Sequence, residues 1–209
     1  MNPHTLSQLL QDLESQLKTE KISVTQLLET FHERGFGFFL FFLALPAALP
    51  LPGLGINMII AFPMLLLTFQ QIMGRQTIWL PEKIKRRTIS SAALKKMIKI
   101  AMPWMIRLEV LIKPRLEFMT QGLALKIIGL LGFLMALSVL FPVPLTNTVP
   151  SFGIVLMAIG VLMHDGLSVL AGAIIGTSWV IMLVSVILIF GPEGVDLVKE
   201  TIKSFLPGG

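Results

Sequence analysis

Residues 34–74 and 126–166 align without a gap at an offset of 92 residues, and each stretch is broken at its centre by a Pro-x-Pro step. The alignment pairs Gly37 with Gly129, Phe41 with Phe133, Ala44-Leu45 with Ala136-Leu137, Pro50 with Pro142, Pro52 with Pro144 and Gly74 with Gly166, seven identities in 41 positions. Chance in so apolar a background gives roughly three or four. The paired prolines, and the cations Arg34 and Lys126 that open the two copies, raise the match above that level. Proline lacks an amide donor and clashes with the preceding helical turn, so a central Pro-x-Pro interrupts a helix. A duplicated apolar unit with a broken helix at its centre is the plan of many membrane transporters.

Composition identifies the solvent. Hydrophobic residues make up 54% of the chain and charged residues 14%, with a mean hydropathy of +0.81; soluble domains carry about 25% charged residues. Charge is absent from 35–74, from 127–164 with histidine neutral, and from 166–192. A helix crosses a bilayer in about 20 apolar residues, so the first two stretches have room for two passes each and the third for one. An integral membrane protein with about five embedded segments is expected.

The first 34 residues do not read as a cleaved signal, because they contain Asp12, Glu14, Glu20, Glu29 and Glu33 and lack a basic start with an apolar run. Leu6, Leu9, Leu10, Leu13 and Leu17, then Leu27, Leu28 and Phe31, follow helical spacing. They predict two amphipathic helices, with Thr5 and Ser23 as N-caps, lying on the membrane surface or against a partner subunit.

Charge orients the chain. From Arg75 to Glu117 there are eleven Lys and Arg against Glu82, Glu109 and Glu117, a net of +8. Such clusters stay cytoplasmic, which places 75–126 inside and the polar tail after residue 192 outside. The pI of 9.8 is therefore a topology signal and not a nucleic-acid footprint, since the cations interleave with Ile98, Met102, Ile106 and Ile112. This pattern suits helices at an anionic lipid surface, with Trp79 and Trp104 at headgroup depth.

Each copy is then a hairpin with both ends inside and Pro-x-Pro at its tip. Residues 35–49 span about 22 Å as helix, short of the roughly 30 Å hydrocarbon core, so the first arm stops within the membrane. Broken backbone at depth needs protein or a water-filled cavity to satisfy it. The tips are the expected site: Asn57 in the first, and Thr146, Asn147 and Thr148 in the second, offer amide and hydroxyl groups to an ion or small solute. The alternative for Asn147 and its neighbours is to cap the helix that follows. Asp165 beside His164 suits a proton relay or a cation role, or marks a helix end at the interface. Gln70 and Gln71 read as packing contacts between helices. Convergence of Asn57, Thr146, Asn147 and Asp165 near the midplane is expected.

Cysteine is absent and His4, His32 and His164 are dispersed, so no metal site or cofactor is expected. Neither nucleophile-elbow nor phosphate-loop motifs occur, and the tips carry no carboxylate pair, which argues against an enzyme. The last apolar span contains Gly172, Gly176, Thr177, Ser178 and Ser185, small residues that favour either close helix contact or a homodimer seam.

The expected architecture is an all-α membrane protein of two Pro-broken hairpins, a final transmembrane helix and amphipathic surface helices. Its divisions are 1–34 amphipathic helices, 35–74 first membrane repeat, 75–125 basic cytoplasmic segment, 126–166 second repeat, 167–192 last transmembrane helix and 193–209 polar tail.

The ordered set Glu33-Arg34-Gly35-Phe36-Gly37, Leu49-Pro50-Leu51-Pro52-Gly53, Gln70, Gly74-Arg75, Trp79-Leu80-Pro81, Pro142-Val143-Pro144, Asn147, Pro150 and Asp165-Gly166 resembles the ExoD family of bacterial exopolysaccharide-synthesis proteins. The resemblance covers roughly residues 25–190. It implies a multi-pass protein of the bacterial inner membrane, linked to exopolysaccharide production and, in some members, to alkaline tolerance. Two functions fit: a small, dimeric transporter of an ion or solute, or a scaffold or regulatory subunit whose basic segment recruits polysaccharide-synthesis proteins or anionic lipid.

Overall fold

A computed structural model describes residues 6–17, 19–31, 35–49, 56–140, 147–191, 193–194 and 200–201. Nine α-helices lie within these residues: α1 Leu6–Gln16, α2 Val24–Phe31, α3 Gly35–Ala48, α4 Ile56–Ile72, α5 Glu82–Lys85, α6 Ser91–Leu111, α7 Leu123–Leu140, α8 Thr148–Met163 and α9 Gly166–Phe190. Two short strands, β1 Lys21–Ser23 and β2 Thr88–Ser90, pair antiparallel with Ile22 opposite Ile89.

The N-terminal helices form as the leucine spacing predicts, but they are not free surface helices. α1 packs on α6, and Leu10, Leu13 and Leu17 are buried inside the chain's own core. Ser23 caps α2 reciprocally: its hydroxyl accepts from the Gln26 amide at 3.2 Å, while Gln26 Oε1 accepts from the Ser23 amide at 3.0 Å. This is a capping box, in which two orphan amides at a helix start satisfy each other's side chains. Thr5 lies outside the described residues. The β1–β2 ribbon joins this N-terminal unit to the basic segment, reinforced by the Val24 amide donating to the Arg87 carbonyl at 3.0 Å. The leucine face therefore finds its partner within one chain, and neither the membrane surface nor a second subunit is needed to cover it.

The apolar stretches become α3, α4, α7, α8 and α9. Two of these, Leu123–Leu140 and Gly166–Phe190, are long and apolar enough to cross a bilayer. α3 has 14 residues, about 21 Å, and α8 has 16, about 24 Å, while α9 with 25 reaches about 37 Å. Each of α3 and α4 packs mainly on a helix of the other apolar stretch, α3 against α8 and α4 against α7, with less contact between neighbours in sequence.

Glycines show how close these approaches are. A methyl group added at Gly37 would lie 2.9 Å from the Ala158 carbonyl oxygen, and one at Gly129 would lie 2.8 Å from the Ile72 nitrogen. Gly129 meets Gln71, Gly132 meets Thr68, and Ala61 clusters with Val139, so α7 runs antiparallel to α4. The start of α3, the end of α4, the start of α7 and the end of α8 consequently share one end, here called the base. Ala47, Ala61 and Val139 form a small cluster toward the opposite, tip end.

α9 returns along α8. Gly153 of α8 faces Gly172 and Gly176 of α9, and Gly176 also receives the Met135 side chain of α7. Of the two roles its small residues offered, Gly172 and Gly176 take close packing inside the chain. Much of the rest of α9 is exposed and apolar, including Ile174, Ile181, Leu188 and Ile189.

Candidate functional site

The tip end gathers part of the expected site. Asn57, in the first turn of α4, is half-buried, whereas Asn147, just before α8, is buried at 4% exposure. Asn147 is the N-cap residue of α8 by position, yet its backbone is helical and its side chain makes no cap bond. The Ser151 amide instead donates to the Asn147 carbonyl at 3.1 Å. Thr148 opens the helix and is half-buried. Thr146 and both Pro-x-Pro steps lie outside the described residues.

Ser151, in the first turn of α8, is a further polar residue at this end. It is fully buried, and its hydroxyl has no hydrogen-bond partner among the described residues. The Thr177 hydroxyl of α9 is likewise buried and unmatched. Gly153 facing Gly172 and Gly176 sets an antiparallel α8–α9 register that puts Thr177 near the level of Ser151. A serine hydroxyl in the first turn of a helix is a common capping group, so the sequence offered a capping explanation that the geometry does not use.

Asp165 and His164 do not join the tips. The uninterrupted α8 separates them from Asn147 by about 24 Å, so Asp165 does not converge with Asn147 as expected, while Thr146 lies outside the described residues. Asp165 is instead a structural hub at the base. Its Oδ1 accepts from the Leu167 amide at 3.0 Å, capping α9, and its Oδ2 accepts from the Lys113 amide at 3.3 Å. The Arg115 amide donates to the His164 carbonyl at 3.2 Å and the Gly166 amide to the Arg115 carbonyl at 2.7 Å, which sews the basic segment to the α8–α9 turn. Gly166 allows this approach, since a methyl group there would lie 2.7 Å from the Leu116 carbonyl oxygen.

His164 turns the chain with φ 54° and ψ 35°, and its Nδ1 lies 3.3 Å from the Thr120 hydroxyl oxygen. Thr120 gives its proton to the Glu117 carbonyl at 2.7 Å, so the ring contact is satisfied by the tautomer protonated at Nδ1. The two adjacent ionisable side chains thus serve separate contacts, and burial of Asp165 follows from its cap role.

The two glutamines also differ. Gln70 forms a two-bond clamp on the Trp79 backbone, donating from Nε2 to the carbonyl at 3.0 Å and accepting from the amide at 2.7 Å. It fastens the loop that follows its own apolar stretch. Gln71 is buried with Oε1 unmatched, beside a narrow cavity among α3, α4, α7 and α8 that is also lined by Gly37, Leu40, Thr68 and Gly132. No group of three or more His, Asp or Glu able to hold a metal occurs among the described residues.

Fold and site define a class: a helical protein with two apolar helices of bilayer length, closely packed through glycines, with several of its buried polar groups near helix ends. The chain belongs to the ExoD family, associated with exopolysaccharide synthesis: the family described as "Exopolysaccharide synthesis, ExoD" matches residues 6–185. An uncharacterized protein of Synechocystis sp., slr1875, is 34% identical over 203 residues, covering 95% of this chain and 96% of that protein. Protein ExoD of Rhizobium meliloti is 27% identical over 172 residues, covering 80% of this chain and 71% of that protein. No solved structure matches. The match from residue 6 includes the N-terminal unit, which the motif resemblance from about residue 25 left out.

Proposed function

We propose that this chain is a multi-pass protein of the bacterial inner membrane that supports exopolysaccharide production by moving a small ion or solute, without catalysing a covalent step. The supporting observation is the buried polar group at the start of α8, where Ser151 is fully enclosed with an unmatched hydroxyl and Asn147 lies one turn away. An unmatched buried hydroxyl costs about 1–3 kcal/mol, a cost that persists where the group has work to do. In this reading the two apolar stretches are copies of one unit, exchanging arms as α3 on α8 and α4 on α7. Alkaline tolerance would follow if the solute moves against protons. Ser178 and Ser185, the small residues of α9 left exposed, provide the contact face of a homodimer.

The test is ion and solute flux into proteoliposomes under a pH gradient. Ser151→Ala and Asn147→Ala are expected to lower flux at least tenfold while leaving the chain folded. Absence of flux for any common cation or anion moves the assignment to the second reading, a scaffold or regulatory subunit. That reading is favoured by the exposed Lys95, Lys96 and Lys99 on α6, which present charge to polysaccharide-synthesis proteins or to anionic lipid.

A further inference from the structure

We infer that the base of the α4–α7 contact is a discrete binding site for one acidic phospholipid, with its phosphate on Lys126 and Arg75 and an acyl chain along the apolar face below. This rests on the membrane reading above and concerns a place distinct from the α6 lysines. Gly74 ends α4 with φ 74°, and a methyl group added there would lie 2.7 Å from Cε and 3.4 Å from Nζ of Lys126. The Lys126 stem therefore lies across the glycine, which brings its ammonium beside the residue that carries Arg75. The Arg75 guanidinium stands 6.0 Å from the centre of the Trp79 ring, and the Gln70 clamp fixes the Trp79 backbone. Neither Arg75 nor Lys126 has an acidic partner among the described residues.

The carbonyl end of α4 attracts cations and accounts for part of the Lys126 placement. It does not account for the apolar face directly below. Phe69 and Met73 of α4 are exposed beside Ile127 and Leu130 of α7, and Phe69 reaches across to Phe133 with ring centres 6.3 Å apart. Two cations and a half-exposed Trp79 at the head of an exposed apolar face match an amphiphile with an anionic head. A free phosphate would use the cations and leave that face uncovered.

Native mass spectrometry of the purified full chain with added phosphatidylglycerol, phosphatidylcholine or inorganic phosphate tests this. One phosphatidylglycerol per chain should be retained in preference to phosphatidylcholine. The double variant Arg75→Gln/Lys126→Gln should weaken retention by about thirtyfold, the combined effect of two headgroup-level cations, and Arg75→Lys/Lys126→Arg should restore most of it. Lys95→Gln/Lys96→Gln/Lys99→Gln should leave it unchanged. Equal retention of both lipids, equal loss in the α6 triple variant, or displacement by millimolar inorganic phosphate would each overturn the site. Failure of the membrane reading is separable, because alkaline carbonate would then strip the chain from bacterial membranes, whereas loss of the site leaves it embedded.

Discussion

Asp165 shows how one side chain joins two parts of this protein. Its two oxygens accept backbone amides from Leu167 and from Lys113, residues on either side of the base. Asn in its place keeps one acceptor and turns an NH2 group toward the second amide, leaving a buried donor facing a donor. Asp165→Asn is expected to cost about 2 kcal/mol, as lost caps and unmatched buried groups do. Denaturant unfolding in micelles measures this, with the half-buried Asn57→Ala as a control expected within about 0.5 kcal/mol of the native chain. A fully stable Asp165→Asn chain that had lost proton-driven flux would restore the relay role. Gln70 gives a second residue-scale expectation. Gln70→Leu removes both bonds to Trp79, so limited trypsin digestion should cut after Arg75 markedly faster than in the native chain.

Among the elements, the helix pairs that meet through glycine set the register of the bundle. A methyl group at Gly129 would press on the α4 backbone at Ile72, which has no flexible end to yield. Gly129→Ala is expected to lower stability by about 1–3 kcal/mol, the usual cost of overpacking. Gly122 makes an informative contrast: it has φ 56° and open space around it, so Gly122→Ala costs only the backbone strain, about 1 kcal/mol. Thermal unfolding of both variants compares the two mechanisms. The apolar helices were legible because a charge-free run of bilayer length has few other fates, and α2 was legible down to its Ser23 cap. The β1–β2 ribbon was not, because three-residue strands with 64 residues between them leave no periodic trace. Asp165 was legible as a residue at a helix end, but its tie to Lys113 was not, because its partners are backbone amides that carry no signature in a sequence.

At the scale of the whole molecule, the arrangement bears on whether the two apolar stretches run parallel or inverted. Gly129 on Gln71, Gly132 on Thr68 and Gly37 on Ala158 fix α7 antiparallel to α4 and α3 antiparallel to α8. All four outer helix ends therefore gather at the base, where the N-terminal unit, the basic segment and the Asp165 hub also lie. A parallel pair follows, and on the proposed topology the base faces the cytoplasm. α9 also begins at the base and, at about 37 Å, is long enough to carry the chain through the hydrocarbon core. The chain has no cysteine, so single thiols report position without background. Phe118→Cys in the basic segment and Glu193→Cys beyond α9 both replace exposed residues. In intact cells a membrane-impermeant maleimide should label position 193 and spare position 118, and in inside-out vesicles the pattern should reverse. Labelling of both from one face would place the start and end of α9 on the same side and overturn the odd number of crossings in the proposed topology.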